Sequence, residues 1–339
     1  MSATRDGDRA PRVLAIVGPT ASGKSRLAVW LGERMGLPLL CCDSVQVYRG
    51  LDIGSAKAGP EQRARVPHHL IDLVDPDVAF SAGDYAVAAL AQLARGPGLF
   101  VGGTGFYLRA TAWTGSGGDG DGAPEDPARA AFTAGWEARE REAPGAVHAA
   151  LQRVDAATAA AIHPRNVVRS LRALWLCETS GRAISEVRAA DPPRPRLRLG
   201  LVMLEPPAAD LDRAIDDRCA SMLRAGWVDE VEMLRRRGYD ARHKAMRSLG
   251  YRQILDHLDG RVRLDEAQAD IQRETRLYAR RQRTYFRNQF PAVAAGAGAE
   301  GDLRVSVTTP LWRSGVDLAE ETAAWLPRVR AWVHDDGGA

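Results

Sequence analysis

The sequence contains an eight-residue motif suited to binding a polyphosphate. It matches the pattern GxxxxGK[ST] and lies between a predicted strand and a predicted helix. The motif, called the P-loop below, consists of Gly18, Pro19, Thr20, Ala21, Ser22, Gly23, Lys24 and Ser25. Its backbone N–H groups and the helix N-terminus attract phosphate oxygens, Lys24 adds positive charge, and the Ser25 hydroxyl suits Mg²⁺. The motif does not tell whether a phosphoanhydride is broken or diphosphate is released from carbon.

Two polar residues follow other predicted strands. Asp43 comes directly after the apolar residues 37–42, and Thr104 comes after a strand that ends in two glycines. Open α/β sheets bind ligands at the carboxyl ends of their strands, so both side chains are expected near the P-loop. Asp43 could accept a proton, bind Mg²⁺ or cap its loop, and Thr104 could contact phosphate or cap the next helix.

Basic residues form two runs in the second half of the chain. One run, called the arginine stripe below, lies on one face of a predicted helix and consists of Arg276, Arg280, Arg283 and Arg287. The other run extends over residues 242–252 without an intervening acid. Both runs suit the phosphates of a nucleic acid, although on composition alone a charged run is more often a solvated face.

Composition excludes several classes of protein. Of the 339 residues, 45% are hydrophobic and 26% are charged, which is typical of a globular protein and neither of a disordered nor of a membrane protein. The polar start lacks the apolar run of a signal peptide, and no stretch is long and apolar enough for a membrane span. The four cysteines form no CxxC pair, which indicates a reducing, cytoplasmic location. His68 and His69 have no third metal ligand at a suitable spacing, so we interpret them as structural.

Strands and helices alternate in the first third of the chain. Strands are predicted at residues 13–17, 37–42, 69–74, 99–101 and 197–204, and helices at 27–35 and 85–93. This alternation predicts an α/β fold with a parallel sheet.

Two segments rich in Gly or Pro, at 115–122 and 191–195, bracket a helical block. We therefore predict a core at 12–113, a helical insertion at 114–192, a second part of the core with basic helices at 193–290, and a C-terminal extension at 291–339. The glycine-rich segment is interpreted either as a hinge of the insertion or as a surface loop.

Several motifs beyond the P-loop, in the right order, resemble tRNA dimethylallyltransferases. They are DSVQVY at 43–48, GLDIGSAK at 50–57, PHHLID at 67–72, VGGTGFY at 101–107, IHP at 162–164 with the arginines that follow, GYRQ at 250–253 and RQ with TY at 281–285. The resemblance runs from about residue 13 to residue 290. It implies a P-loop NTPase-like core with a helical insertion and arginine-rich C-terminal helices.

The resemblance also implies a reaction. A dimethylallyl group would pass from dimethylallyl diphosphate to the exocyclic amine of the adenosine 3′ of the anticodon, with Mg²⁺ as cofactor. Asp43 would accept the proton of the amine, whose lone pair is delocalised. Lys24, Thr104 and Arg218 would stabilise the leaving diphosphate. A surface ion pair of Arg218 with Asp216 or Asp217 is the alternative.

The same resemblance implies that tRNA contacts two parts of the chain. The loop that would receive the extruded adenine contains Asp43, Ser44, Val45 and Gln46. The predicted contacts to the anticodon stem-loop are Arg129, Arg169, Arg172, Arg247, Tyr251, Arg252, Arg280, Arg281, Arg283 and Arg287. We expect a cytoplasmic monomer with no membrane association. An adenylate isopentenyltransferase, a small-molecule kinase and a non-catalytic RNA-binding ATPase are the alternative hypotheses.

Overall fold

A computed structural model describes residues 10–115, 127–290 and 303–334. Its described residues form a six-stranded parallel sheet in the order β3-β2-β4-β1-β5-β6. The strands are β1 (Arg12–Val17), β2 (Leu39–Cys42), β3 (His68–His69), β4 (Leu99–Gly102), β5 (Arg198–Leu204) and β6 (Arg304–Val307). The α/β fold class and the parallel sheet are thereby confirmed.

The central strands are nearly continuous apolar runs because both faces of the sheet are covered. Every residue of β2 and β4 is buried, as are the last five of β1 and of β5. The strand predicted at residues 69–74 is wrong beyond its start. Leu70 and Asp72 adopt positive φ angles of 65° and 55°, which an extended strand does not allow.

Four helices follow the first strands. They are α1 (Lys24–Met35), α2 (Pro60–Arg65), α3 (Ala82–Leu93) and α4 (Gly105–Ala112). Helix α3 begins with a capping box, in which Ser81 and Asp84 each bond the backbone N–H of the other. Helix α1 begins at the end of the P-loop, so its N-terminus points at the carboxyl edge of the sheet.

A separate compact unit spans Gly122–Arg194. Its helices are α5 (Pro127–Glu142), α6 (Ala146–Val154), α7 (Ala156–Ala160), α8 (Val167–Ser180) and α9 (Ile184–Ala190). Asp155 joins two of them, since its carboxylate accepts hydrogen bonds from Thr158 and Ser185. Burial would raise the pKa of Asp155, but these hydrogen bonds outweigh burial and lower that pKa to about 2.

The chain then returns to the first unit. The remaining helices are α10 (Ala208–Arg224), α11 (Trp227–Arg236), α12 (Tyr251–Leu258), α13 (Leu264–Gln289), α14 (Leu318–Ala323) and α15 (Leu326–His334). A short 3₁₀ helix at Ala245–Arg247 precedes α12. Among the described helices, none combines the length and apolar character that a membrane crossing requires.

The described part of the C-terminal extension belongs to the core. Strand β6 pairs with β5, and the backbone N–H of Glu205 donates to the Val307 carbonyl. Arg26, in the first turn of α1, donates to the carbonyl oxygens of Leu311, Arg313 and Val316. No sequence pattern predicted this contact between the extension and the P-loop helix. Residues 116–126, which include most of the predicted hinge, lie outside the described residues.

Candidate functional site

A cavity of about 260 Å³ lies at the carboxyl ends of β1 and β2. The first group of its lining residues is polar or belongs to the P-loop, and consists of Thr20, Ala21, Asp43, Ser44, Ser55, Arg218, Ser248, Thr275 and Tyr278. The second group is apolar or carries no charge, and consists of Val45, Gly54, Ile215, Cys219, Met222, Trp227, Leu249 and Ile271. One cavity therefore joins a phosphate-binding end to an apolar wall.

The P-loop turns tightly into α1. Gly23 is the N-cap residue with φ 87°, and Ala21 also has a positive φ of 59°. A Cβ atom on Gly23 would lie 2.9 Å from the Leu311 Cβ, so the extension leaves room for glycine only. The Ser22 hydroxyl is buried without a partner among the described residues. The loop thus presents backbone donors and a helix N-terminus to the cavity.

Three charged side chains lie close together beside the P-loop, and two of them, Asp43 and Arg218, line the cavity. Burial, followed by the nearby Arg218 guanidinium, lowers the pKa of Lys24 to about 7, and Asp43 opposes this shift. Burial also lowers the pKa of Arg218, again against the influence of Asp43. Two cations thus share one carboxylate in a partly desolvated place, which favours the binding of an anion. Lys24 itself donates to the Pro19 carbonyl.

Asp43 is held by its own loop. Its Oδ1 accepts hydrogen bonds from the backbone N–H of Val45, at 2.8 Å, and of Gln46, at 3.3 Å. The carboxylate therefore caps the loop and lines the cavity at the same time. The loop cap that we considered as an alternative role of Asp43 is confirmed, and Oδ1 is the oxygen that forms it.

The other residues of this loop divide in two groups. Ser44 and Val45 line the cavity, as a predicted contact to a substrate requires. The Gln46 amide instead donates to the Ser55 carbonyl at 3.0 Å, so it holds the loop closed. Its predicted contact with the adenosine is not supported by this geometry.

Thr104 is tied to the Asp43 loop and to α13. Its Oγ1 accepts a hydrogen bond from the Ser44 backbone N–H at 3.1 Å. The Tyr278 hydroxyl shares hydrogen bonds with Thr104 and Gln282, and burial raises its pKa. The alternative of a helix cap fails for Thr104, since its side chain makes no capping bond to α4. Thr104 is not among the residues that line the cavity, and it is linked to the cavity by its hydrogen bonds with Ser44 and Tyr278, which line it.

Gln282 is a residue that the sequence analysis missed. Its Oε1 accepts from the Thr20 backbone N–H at 2.8 Å, and its Nε2 donates to the Gly103 carbonyl at 2.9 Å. One side chain thus links the P-loop to the glycine turn before Thr104. Gln282 occurred in a recognised motif, and its place one helical turn after Tyr278 was the available signal.

Arg218 lies at the cavity and not in a surface ion pair. It is partly buried on α10, whereas the carboxylate of Asp216 pairs with Arg276 on α13. The competing interpretation, an ion pair of Arg218 with Asp216, is therefore unsupported. It lines the cavity together with Thr20 and Ala21 of the P-loop, and its guanidinium lies close enough to Lys24 to help lower the pKa of that amine.

Tyr251 does not lie on a surface. Its side chain is fully buried, and its hydroxyl donates to Glu230 at 2.7 Å. The prediction that Tyr251 contacts tRNA is therefore wrong. Tyr251 has a structural role instead. It binds Glu230, whose carboxylate also holds the loop beside the cavity.

The arginine stripe is largely paired with carboxylates. Arg276 pairs with Asp216, Arg280 approaches Asp212 at 3.8 Å, and Arg287 pairs with Glu205 at 2.9 Å. Arg283 also lies close enough to Glu205 to help lower the pKa of that carboxyl. The common face predicted by spacing is correct, but that face is directed toward acids of the same chain.

Three other arginines lie close to the cavity and are exposed. Arg247 precedes Ser248, Arg252 follows on α12, and Arg281 lies one turn after Tyr278. Within the described ranges, these three side chains form no ion pair, but Arg252 lies close enough to Asp270 to help lower the pKa of that carboxyl. We call them the rim arginines below. In the second unit, Arg169 is exposed near the start of α8, while Arg129 and Arg172 are partly buried on α5 and α8.

The donor set at the P-loop fits Mg²⁺. Ser25, an exposed residue, lies in the first turn of α1, and the Asp43 carboxylate lies close to the neighbouring Lys24. The described residues contain no cluster of three or more His, Cys, Asp or Glu side chains for a metal. Magnesium is commonly held by one or two protein ligands together with substrate phosphates and water, which these residues can supply.

Two family models match the chain. A family model described as IPP transferase matches residues 46–289, and one described as isopentenyl transferase matches residues 11–67. A tRNA dimethylallyltransferase from Geobacter sulfurreducens is 42% identical over 293 residues, which cover 83% of this chain and 90% of the relative. One from a Roseiflexus species is 41% identical over 303 residues, covering 88% and 96%.

Solved structures show the same likeness. The tRNA isopentenylpyrophosphate transferase of Bacillus halodurans matches with a TM-score of 0.64 at 31% identity, over 96% of this chain and 97% of that one. A eukaryotic dimethylallyltransferase acting on tRNA matches with a TM-score of 0.74 at 21% identity, over 96% of this chain and 79% of that one. The second likeness concerns the fold alone.

Proposed function

Because the chain belongs to the IPP transferase family, we propose that it transfers a dimethylallyl group from dimethylallyl diphosphate to an adenosine of tRNA. The enzyme is a prenyltransferase that modifies tRNA. The acceptor is the exocyclic amine of the adenosine 3′ of the anticodon, and diphosphate is the second product. The observation that carries this proposal is the single cavity that joins the P-loop, Asp43 and an apolar wall.

The shape of the donor matches the two ends of this cavity. Its diphosphate would occupy the P-loop end, where backbone donors, Lys24 and Arg218 converge. Its short isoprenoid tail would lie along the apolar wall. The cavity thus offers a matching surface to each of the two parts of a prenyl diphosphate.

Asp43 is the group placed to accept the proton. The amine nitrogen forms a bond to C1 of the dimethylallyl group, the bond from C1 to the bridging oxygen breaks, and the nitrogen gives up one proton. Because Oδ1 of Asp43 already caps the loop, Oδ2 is the oxygen left to take that proton. A positioned proton acceptor of this kind contributes roughly 10²- to 10⁴-fold to a rate.

The leaving diphosphate gains charge as the carbon–oxygen bond breaks. Lys24, Arg218 and the P-loop N–H groups surround its place, and they bind the developing charge more strongly than the ester. An anion there favours protonated Lys24, against the causes that lower its pKa. We further propose that Ser25 holds Mg²⁺, which would neutralise charge on the diphosphate.

The tRNA would approach over the rim arginines. All three are exposed, and Arg247 and Arg281 lie beside the lining residues Ser248 and Tyr278, so phosphates bound there would place a base at the cavity entrance. The adenosine must leave its stack to reach Asp43, and Ser44 and Val45 would form the wall beside it. Arg129, Arg169 and Arg172 of the insertion remain predicted contacts to the anticodon stem-loop. The cytoplasmic location and the monomeric state remain predictions. The four cysteines are free and buried.

An incorporation assay tests the proposal. Purified protein is incubated with Mg²⁺, labelled dimethylallyl diphosphate and either total tRNA or AMP. We expect label in tRNA, at the adenosine 3′ of the anticodon after nuclease digestion. Label in AMP and not in tRNA would instead identify an adenylate isopentenyltransferase, and phosphate transfer from ATP would identify a kinase.

A further inference from the structure

We propose that Trp227 limits the length of the isoprenoid that this enzyme transfers. Its indole ring would act as a fixed wall that admits a five-carbon tail and excludes a ten-carbon one. The inference rests on the proposed function, because it takes the donor to be an allylic diphosphate bound at the P-loop.

Trp227 belongs to the apolar part of the cavity. It is 2% exposed and lines the same space as Thr20 and Arg218. A donor whose phosphates occupy the P-loop has its tail inside this space, and the apolar residues are the favourable surface for it. Trp227 carries the largest side chain among the lining residues. It is therefore the lining side chain whose volume takes the most space from a longer tail.

The indole ring is held closely on two sides. A Cβ atom on Gly54 would lie 2.0 Å from its Nε1, and one on Gly250 would lie 2.1 Å from its Cη2 and Cζ2. Both positions thus require glycine for space, because the backbone touches the ring. Tyr251 contacts the ring edge-on, with ring centroids 5.8 Å apart. The ring has no room to turn away from a longer tail.

The segment that contains Gly54 is also fixed. The Glu230 carboxylate accepts hydrogen bonds from the backbone N–H groups of Asp52, Ile53 and Gly54, at 2.9, 2.6 and 3.2 Å. Glu230 lies one turn after Trp227 on α11 and is itself buried. Glu230 therefore holds α11 and the loop of residues 52–54 together, so this loop cannot move away to make room for a longer tail.

The indole nitrogen contributes no hydrogen bond. Trp227 Nε1 is buried and finds no acceptor among the described residues. An unpaired buried donor is costly, so hydrogen bonding does not explain a tryptophan here. What the side chain supplies is volume and a flat apolar surface. A rigid surface excludes a larger ligand much better than a deformable pocket does, since packing extra carbons into a filled space forces strain.

Competition between two donors tests the inference. The full chain receives tRNA, Mg²⁺ and equal amounts of dimethylallyl and geranyl diphosphate, and the modified nucleosides are quantified by mass spectrometry. We expect the wild type to favour the five-carbon donor by roughly 10²-fold or more, the range that shape can provide. Trp227→Ala should raise the ratio of geranyl to dimethylallyl transfer by roughly 10-fold or more, and Trp227→Phe should change it little.

Leu234→Ala is the matched control. Leu234 is fully buried on the same helix and does not line the cavity, so its truncation destabilises the helix without enlarging the tail site. Its donor ratio should stay at the wild-type value. If Trp227→Ala fails to fold, Trp227→Leu and the binding of geranyl diphosphate to the wild type remain. The wild type should bind geranyl diphosphate no better than inorganic diphosphate.

Two results would overturn the inference. One is a folded Trp227→Ala variant that transfers dimethylallyl groups and still excludes geranyl groups. The other is a wild type that uses or binds both donors equally well. Neither result affects the proposed function, which would fail only if the wild type did not transfer a dimethylallyl group to tRNA.

Discussion

The cavity and the arginine stripe both contain several charged side chains, but the cations of the two regions differ in how they are paired with carboxylates. In the stripe, Arg276 and Arg287 are paired with carboxylates of the same chain. In the cavity, Lys24 and Arg218 share Asp43, and burial lowers the pKa of both cations. The stripe is close to electrostatic balance, whereas in the cavity two cations face one carboxylate, which leaves a net positive charge.

The difference shows what helical spacing reveals about function. Spacing correctly placed the stripe on one face, but it could not show that Asp212, Asp216 and Glu205 lie opposite. Unpaired cations are available to a ligand, and paired ones must first exchange a partner. We therefore expect function to depend on the cavity most, on the rim arginines next, and on the stripe least.

The largest effect is expected at Asp43. Asp43→Asn keeps an oxygen that can cap the loop but removes the proton acceptor, so turnover should fall by roughly 10²- to 10⁴-fold. Binding of inorganic diphosphate should change little, because it does not need this proton transfer. Asp43→Ala removes the cap as well and should also lower thermal stability. Single-turnover rates of Asp43→Asn near the wild-type value would refute the proton-acceptor role.

Arg218 should give the next largest effect. Arg218→Ala removes a cation close to Lys24 of the P-loop, and kcat/KM for the donor should fall by roughly 10²- to 10³-fold, as for the loss of other transition-state donors. Arg213→Ala is the control, since Arg213 lies on the same helix, is exposed and pairs with Asp210. Steady-state kinetics at saturating tRNA distinguish the two. Equal losses in both variants would mean that Arg218 contributes only general charge.

A third experiment compares the rim arginines with the stripe directly. The double variant Arg247→Ala with Arg281→Ala should weaken tRNA binding and flatten its salt dependence by roughly 0.7 to 0.9 log–log units per lost phosphate contact. The double variant Arg276→Ala with Arg287→Ala should leave that slope nearly unchanged and should lose about 1 kcal/mol or less of stability per pair.

Filter binding over a range of salt concentrations checks both variants. A flattened slope in the stripe variant, with an unchanged slope in the rim variant, would reverse the assignment. It would mean that the carboxylates opposite the stripe are displaced when tRNA binds. The salt slope is the useful readout because a merely structural loss shifts affinity without changing the number of ions released.

The sequence predicted the fold well where local pattern decides it. Strands β1, β2, β4 and β5 were predicted from apolar runs, and the P-loop from its glycines and Lys24. The third strand was predicted too long, because no residue type in this segment indicates the positive φ angles at Leu70 and Asp72. Strand β6 was missed because it is short and gains its place by pairing with β5.

The candidate site was predictable where a sequence motif indicates which chemistry its residues perform. Asp43 and Arg218 do line one cavity with the P-loop. Gln282 was missed because its two hydrogen bonds reach Thr20 and Gly103, which are distant in sequence. Tyr251 was misassigned because a motif shows that a residue matters without showing whether it faces solvent or the core. A local sequence pattern does not show which residues pack together when they are distant in sequence.

The smallest expected effect concerns the acid opposite Arg287. Burial alone would raise the pKa of Glu205, but hydrogen bonds from Ser306 and Arg287 outweigh it and lower that pKa. The ionised carboxylate therefore stabilises the fold above the pKa of about 4.5 of the unfolded chain, and this contribution is lost as pH falls through the lower folded pKa. Glu205→Gln cannot ionise, so the Tm of wild type should exceed that of the variant at pH 7, by about 4 °C at most. The difference should shrink below about pH 4.5. Melting curves from pH 7 to pH 3 measure it, and a gap that grows on acidification would show that Glu205 is not stabilised as an anion by Arg287.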